Sequence, residues 1–275
     1  MNEPLIDIGV NLTSKQFRAD LPQVIERALG AGVRHMIVTG LTAELSQQAL
    51  ELARSRPQVL CSTAGVHPHN ARTFDRHTQS ELRSLASAAE VVAIGECGLD
   101  YDRDFSPRDQ QRAAFEAQLE LAIELQKPAF LHQRRAHDDF ERILHNASSK
   151  LKGGVVHCFT GDDRELDRYL ELGLCIGITG FICDERRGTH LQQLVRRIPA
   201  ERLMIETDAP FLLPRNLPGA TGRRNEPAHL PHIARSVARY SGRGEDELRR
   251  STTNTAFELF GLTALFGEPA ARSGC

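Results

Sequence analysis

Histidine and acidic side chains recur at one kind of position along this chain, the end of a short apolar run. Two histidines close GVHPH, a glutamate stands inside GECGLD, and single histidines follow in FLHQR and VVHCF. IETDAP adds two carboxylates. These residue types bind metal ions or transfer protons. The candidates are Asp7, Asn11, His67, His69, Glu96, His132, His157, Glu206 and Asp208.

A metal site is the chemistry that unites them. A lone histidine at a strand end is more often satisfied by backbone hydrogen bonds than by a metal. Polar side chains at the same end of several strands would be costly to bury without a shared partner. We therefore predict that Glu96, His132 and His157 hold a divalent cation with an open coordination position, with Asp208 as a further ligand.

Eight apolar runs must position these residues. They alternate with amphipathic stretches such as LPQVIERAL and RAAFEAQLELAIEL, which is typical of βα units with helices covering a parallel sheet. Asn11 and Asp208 lie 197 residues apart, or about 28 residues for each of seven repeats, as in a TIM-type barrel. The runs are LIDIGVNL, HMIVTG, VLCSTAGVH, VVAIGECGLD, PAFLHQR, GGVVHCFTG, LCIGITGFI and RLMIETDAP.

The expected fold is thus an α/β (β/α)₈ TIM-type barrel spanning residues 1–262, with a flexible tail at 263–275. A doubly wound open sheet is the competitor, but the first βα turn lacks GxGxxG and eight units exceed its usual strand number. The Pro-, Gly- and Arg-rich segment after Asp208 predicts a long loop over the active site.

Composition bounds the class of protein. No apolar run approaches the roughly 18 residues of a membrane span, and no secretory signal is recognisable, so we expect a cytoplasmic location. The six cysteines form no CxxC pair, which argues against a disulfide framework. A net charge of −2 means that nucleic-acid binding would need a local cluster of arginines.

This chain resembles the TatD-type nucleases over nearly its whole length, in the motifs GVHPH, GECGLDY, FLHQR, VVHCFTG, IGITGF, IETDAP and RRNEPAHLP. The resemblance implies that the barrel is of the amidohydrolase-like type. The resemblance implies a 3′ to 5′ exonuclease that prefers single-stranded DNA, with RNA as a further substrate. It also implies a role in DNA repair or degradation. We expect a divalent cation, Mg²⁺ in first place and Mn²⁺ or Zn²⁺ as alternatives, and a monomeric protein.

One departure concerns the first strand. Many relatives begin with D-x-H-x-H, whereas this chain has Gly9 and Asn11 at the two histidine positions. The branch that contains TatD itself has the same change. We therefore expect one firmly bound ion, with any second ion arriving with the substrate phosphate near Asp208.

Phosphodiester hydrolysis then suggests a role for each group. Asp208 would accept the proton of the attacking water, and His67 would contact phosphate or protonate the leaving oxygen. Glu206 would act beside them as a catalytic or supporting group. Base stacking would fall to Phe or Tyr residues, with little sequence specificity. The predicted substrate-binding residues are Asn11, His69, Arg134, Arg186, Arg187, Arg215, Arg223 and Arg224.

Three alternatives stay open at this point. The loop arginines could be solvated and paired with Asp184, Glu185 and Glu226 instead of contacting phosphate. A related barrel hydrolase could act on a small amide or ester with the same ligands. A barrel that only binds nucleic acid is also compatible with the missing strand-one histidines.

Overall fold

The computed structural model describes residues 3–220 and 222–269. Its helices and strands alternate along the chain, as the hydrophobic periodicity predicts. In order they are β1 Leu5–Val10, α1 Leu21–Gly30, β2 Val33–Val38, α2 Ala43–Ser55, β3 Leu60–Ala64, α3 Arg76–Ala86, β4 Val91–Asp100, α4 Arg108–Glu124, β5 Ala129–Arg134, α5 His137–Ser148, β6 Gly154–Val156, α6 Asp163–Glu171, β7 Cys175–Ile178, α7 Thr189–Leu194, β8 Leu203–Ile205, α8 Leu230–Ser241, α9 Glu245–Phe260 and α10 Thr263–Phe266.

The eight strands form one parallel sheet in the order β1 to β8. Two backbone hydrogen bonds join its edges: Asp208 N–H donates to the Gly9 carbonyl at 2.9 Å, and Asn11 N–H donates to the Ala209 carbonyl at 2.8 Å. The sheet therefore curls into a nearly closed barrel. This confirms the expected fold class and places the carboxyl ends of all strands around one mouth.

Local sequence explains where the surrounding helices begin. Thr42, Asp75 and Asp162 precede α2, α3 and α6, and each side chain accepts the backbone N–H three residues further on. This is the N-cap arrangement, which satisfies a donor that the helix itself leaves unpaired. These three helices bury apolar residues against the barrel, such as Ala49 of α2, Leu82 of α3 and Leu166 of α6.

The opposite end of the barrel is closed by apolar side chains. Phe257, Phe260 and Leu262 from α9 and the turn after it pack with strand residues such as Ile6 and Phe130 in one buried cluster. Part of the tail expected to be flexible forms α10, and residues 270–275 lie outside the described ranges. Within those ranges no helix combines the length and apolarity needed to cross a bilayer.

The last three strands are shorter than the apolar runs predict. β6 ends at Val156 and β8 at Ile205, so His157, Glu206 and Asp208 lie just beyond strand ends. Asp208 has a φ of 53°, in the left-handed region. The backbone therefore turns sharply at Asp208, at the mouth of the barrel.

Candidate active site

Three imidazoles converge on one carboxylate at the mouth of the barrel. Oε1 of Glu96 lies 2.8 Å from Nδ1 of His132, 2.8 Å from Nε2 of His157 and 3.3 Å from Nε2 of His67. Glu96 is only 4% exposed. These four residues, which we call the Glu96 cluster, come from the carboxyl ends of β3, β4, β5 and β6.

Two glycines in β4 allow Glu96 to reach this position. A Cβ at Gly95 would lie 2.1 Å from the Phe130 carbonyl oxygen, and a Cβ at Gly98 would lie 1.9 Å from the His132 carbonyl oxygen. Both glycines also have a φ in the range that side chains disfavour, 140° and 145°. The close approach of β4 to β5 therefore depends on the GECG motif and carries Glu96 against His132.

The electrostatics of the cluster favour positive charge between its carboxylates. Burial acts to raise the pKa of Glu96, but His157 and His67 outweigh it and hold the pKa well below its ordinary value. Burial acts to lower the pKa of His157, yet Glu96 and Glu206 raise it well above the ordinary value. A buried pocket that stabilises cationic charge in this way suits a metal ion.

The donor atoms present fit a divalent cation. Nε2 of His132 is buried without a hydrogen-bond partner among the described residues, with Oδ2 of Asp100 at 3.4 Å. Nδ1 of His157 faces Oε2 of Glu206 at 3.3 Å, and a carboxylate can only accept there. In the neutral ring this fixes the proton on Nδ1 and leaves the Nε2 lone pair toward Glu96 for a metal.

His67 is also within reach of the cluster, since its ring nitrogen, a Glu96 oxygen and a His132 nitrogen all lie within 4.8 Å of one another. Its Nδ1 accepts the backbone N–H of His69 at 3.1 Å. The neutral ring therefore carries its proton on Nε2, and burial lowers the pKa of His67 to about 4. This tautomer makes His67 a hydrogen-bond donor toward the pocket, which favours contact with phosphate over metal ligation.

Glu206 occupies the space that a side chain on the first strand would need. Its Oε1 accepts the backbone N–H of Cys158 at 2.5 Å, and the residue is fully buried. A Cβ at Gly9 would lie 2.2 Å from Oε2 of Glu206, and a Cβ at Gly177 would lie 2.6 Å from its Oε1. The glycine in the first strand is thus a steric requirement of the buried carboxylate that orients His157.

Asp208 lies beside this group. Its Oδ1 accepts a hydrogen bond from Nδ2 of Asn11 at 2.9 Å, so the two residues at the edges of the sheet meet. Burial, reinforced by the charges of Glu96 and Glu206, raises the pKa of Asp208 to about 7 although His157 opposes the shift. A carboxylate with a pKa near neutrality is suited to accept a proton.

Asp100 is a site residue that the sequence reasoning missed. It is 1% exposed, and its Oδ2 lies 2.7 Å from Nε2 of His69. Its Oδ1 accepts the backbone N–H groups of Asp102 and Arg103. Asp100 lies four residues after Glu96 in the motif GECGLD, and this position could have marked it as a candidate site residue. Asp7, by contrast, accepts hydrogen bonds from the backbone N–H and the hydroxyl group of Thr207 and does not join the Glu96 cluster.

The arginines of the β7 and β8 loops gather around one carboxylate. Asp184 is 3% exposed and lies 3.1 Å from Arg187, 3.5 Å from Arg186 and 3.9 Å from Arg215. The three arginine side chains remain more than half exposed. One buried charge thus holds three guanidinium groups at the surface and neutralises only one of them, so positive charge remains.

The other predicted arginines differ from one another. Arg134 pairs with Asp102 at 2.8 Å, and Arg224 pairs with Asp20 and Glu226 at 2.8 and 2.6 Å. Arg223 is exposed, and within residues 3–220 and 222–269 no carboxylate pairs with it. The phosphate contact predicted for Arg224 stays a prediction, but its ion pairs tie the β8 loop to the segment before α1.

Comparison with known proteins agrees with this geometry. The family model for TatD related DNase matches residues 6–261. This chain is 54% identical to the protein named 3'-5' ssDNA/RNA exonuclease TatD from Pantoea sp. (strain At-9b). It is 52% identical to the protein of the same name from Edwardsiella piscicida. In each case the match covers 94% of this chain and the whole relative.

Solved structures give the same result. The TatD homologue YjjV from Escherichia coli K12 superposes with a TM-score of 0.86 at 29% identity, covering 94% of this chain and 98% of that one. N-isopropylammelide isopropylaminohydrolase from Burkholderia multivorans, at 15% identity and a TM-score of 0.60, shares the barrel alone. With a family match across nearly its full length and relatives identical at more than half of the aligned positions, the chain belongs to the TatD-related DNase family.

Proposed function

We propose that this protein is a divalent-metal-dependent exonuclease that removes nucleotides from the 3′ end of single-stranded DNA and also accepts RNA. The observation that carries the proposal is the Glu96 cluster, in which a buried carboxylate meets imidazoles at the mouth of a barrel. The curated relatives carry this activity in their names. DNA repair or degradation in the cytoplasm is the setting that this activity would serve.

Glu96, His132 and His157 would hold the cation, with Asp208 as an additional oxygen donor. When bound, such a cation supplies Lewis-acid stabilisation of phosphate charge and lowers the pKa of water. Imidazole nitrogens suit Mn²⁺ or Zn²⁺ better than Mg²⁺, which prefers oxygen donors and keeps several waters. We therefore favour Mn²⁺ or Zn²⁺ over the Mg²⁺ expected from the resemblance.

The protein groups divide the remaining work. Asp208 accepts the proton of the attacking water, and Asn11 holds its carboxylate by the 2.9 Å hydrogen bond. Nε2–H of His67 donates to a nonbridging phosphate oxygen or to the leaving oxygen. Glu206 keeps the His157 ring oriented, so its role is positioning.

The arginines around Asp184 would bind the phosphates of the strand beyond the scissile bond. Their loops follow β7 and β8, where TIM-type barrels commonly bind phosphate. Guanidinium groups contact phosphate oxygens in a bidentate manner, and each contact adds to the salt dependence of affinity.

One ion bound firmly in the absence of substrate is part of the proposal. Gly9 and Asn11 stand where a histidine pair would hold a second ion, and the Glu206 carboxylate fills the space beside Gly9. Metal analysis of the purified protein should therefore give one equivalent. Two stoichiometric ions without substrate would contradict this part.

The polarity of cleavage tests the proposed function. Single-stranded DNA and RNA of one sequence are labelled at either the 3′ or the 5′ end and incubated with Mg²⁺, Mn²⁺ or Zn²⁺. We expect immediate release of labelled mononucleotide from the 3′-labelled strand and a ladder of shortening products from the 5′-labelled one. Internal cuts, or no cleavage under any metal, would refute the proposal and favour a small-molecule hydrolase or a binding-only barrel.

A further inference from the structure

Two phenylalanines stand out on the surface. Phe105 and Phe211 are 53% and 51% exposed and are the large hydrophobic side chains on the exposed surface of the described chain. A single exposed apolar residue is unremarkable by itself. Both of these, however, lie in loops at the mouth of the barrel. Phe105 contacts His69, and Phe211 is hydrogen-bonded to Asp208.

Phe105 lies in the loop between β4 and α4. Its ring centroid is 4.7 Å from that of His69, with an edge-on angle of 66°. The next residue, Ser106, is fully buried; its hydroxyl donates to the His69 carbonyl at 2.9 Å and accepts the Arg72 N–H at 3.1 Å. Gln111 also donates to the Ser106 carbonyl. The backbone beside Phe105 is therefore anchored while its ring faces solvent.

Phe211 lies on the other side of the mouth. It follows Asp208 by three residues, and its backbone N–H donates to the Asp208 carbonyl at 3.0 Å. In a barrel with strands in the order β1 to β8, the loops after β4 and β8 are half the circumference apart. Phe105 and Phe211 therefore follow strands on opposite sides of the mouth, and the Glu96 cluster, which comes from β3 to β6, lies on the side of Phe105.

We propose that Phe105 and Phe211 are stacking platforms for two unpaired bases of the substrate strand, on either side of the bond to be cut. This inference rests on the proposed nuclease function. An aromatic face binds any base, so the platforms give affinity without sequence preference. Stacking on a platform needs a base released from its pair and its neighbours, which makes single strands the favoured substrate.

Binding of a fluorescein-labelled oligonucleotide in EDTA, followed by anisotropy, measures this contribution without turnover. We expect Phe105→Ala and Phe211→Ala each to weaken binding about 5- to 150-fold, the range that base–aromatic stacking spans. Phe105→Tyr and Phe211→Tyr keep an aromatic face and should bind within about twofold of the unsubstituted protein. Thermal unfolding should be the same for all four variants, because the rings are exposed.

Abasic substrates separate stacking from other effects. An oligonucleotide with abasic residues at its two 3′-terminal positions lacks the bases that would stack. The Phe105→Ala and Phe211→Ala variants should therefore bind and cleave this oligonucleotide as well as the unsubstituted protein does. Equal binding of the normal strand by the alanine variants would overturn the stacking proposal while 3′ cleavage by the unsubstituted protein still supports the nuclease function. Absence of both binding and cleavage by the unsubstituted protein would overturn both.

Discussion

Replacement of Gly9 by alanine would force a methyl group against the buried Glu206 carboxylate. The Cβ would lie 2.2 Å from Oε2 of Glu206 and 3.1 Å from Cζ of Phe130, so the carboxylate must move. Its hydrogen bond from Cys158 N–H and its contact with His157 would both be disturbed. Overpacking of this kind costs roughly 1–3 kcal/mol, and a hydrogen bond to a charged group contributes about 1.5–3 kcal/mol.

We expect Gly9→Ala to weaken metal binding while the protein remains folded. Removing the group that orients a metal-binding histidine typically lowers metal affinity about 10- to 100-fold. Calorimetric titration of Mn²⁺ should show a loss of this size in Gly9→Ala. Glu206→Gln, which keeps the size but loses the charge, should show a similar loss without the steric cost to stability.

Gly30→Ala is the matched control. A Cβ there meets nothing within 4 Å, and the residue ends α1 far from the pocket, so metal affinity should be unchanged. Unchanged Mn²⁺ affinity in Gly9→Ala as well would refute the argument that the strand-one glycine exists to make room for Glu206.

The remaining predictions concern proton transfer, phosphate contact and pH. Asp208→Asn should remove most turnover with modest loss of DNA binding. Near-normal turnover of Asp208→Asn would refute its role as base. Arg223→Ala should reduce the slope of log affinity against log salt by about 0.7 without changing unfolding, whereas Arg224→Ala should lower stability through its lost ion pairs; the reverse pattern would contradict both assignments. Burial raises the pKa of Asp7 from 3.8 to about 8, so the folded state keeps a proton that the unfolded state releases, and the free energy of unfolding should fall between about pH 4 and pH 8. Asp7→Asn should flatten that decline in urea titrations, and an unchanged pH profile would rule out this origin.

Hydrophobic periodicity was sufficient to predict the fold, because βα repeats and a barrel leave a regular trace in the sequence. It also placed Glu96, His132 and His157 correctly at one mouth, since parallel strands bring their carboxyl ends together. The chemical types of these residues narrowed the possible reactions to those of a metal hydrolase.

Other features depend on distances that no periodicity encodes. The contact between Glu206 and the space beside Gly9 joins β8 to β1, at opposite ends of the sequence. The hydrogen bond between His69 and Asp100 could not be predicted, because carboxylates near strand ends are common and most of them have no such partner. The different surroundings of Arg223 and Arg224, adjacent in sequence, follow from tertiary contacts with Asp20 and Glu226.

The most direct test of the metal-centred account compares the unsubstituted protein with Glu96→Ala on 3′-labelled single-stranded DNA, with Mn²⁺ or with EDTA. Thermal unfolding of both proteins checks that the variant is folded. We expect stepwise release of nucleotides that EDTA stops and that Glu96→Ala reduces to background. Cleavage that survives either EDTA or the loss of Glu96 would contradict it.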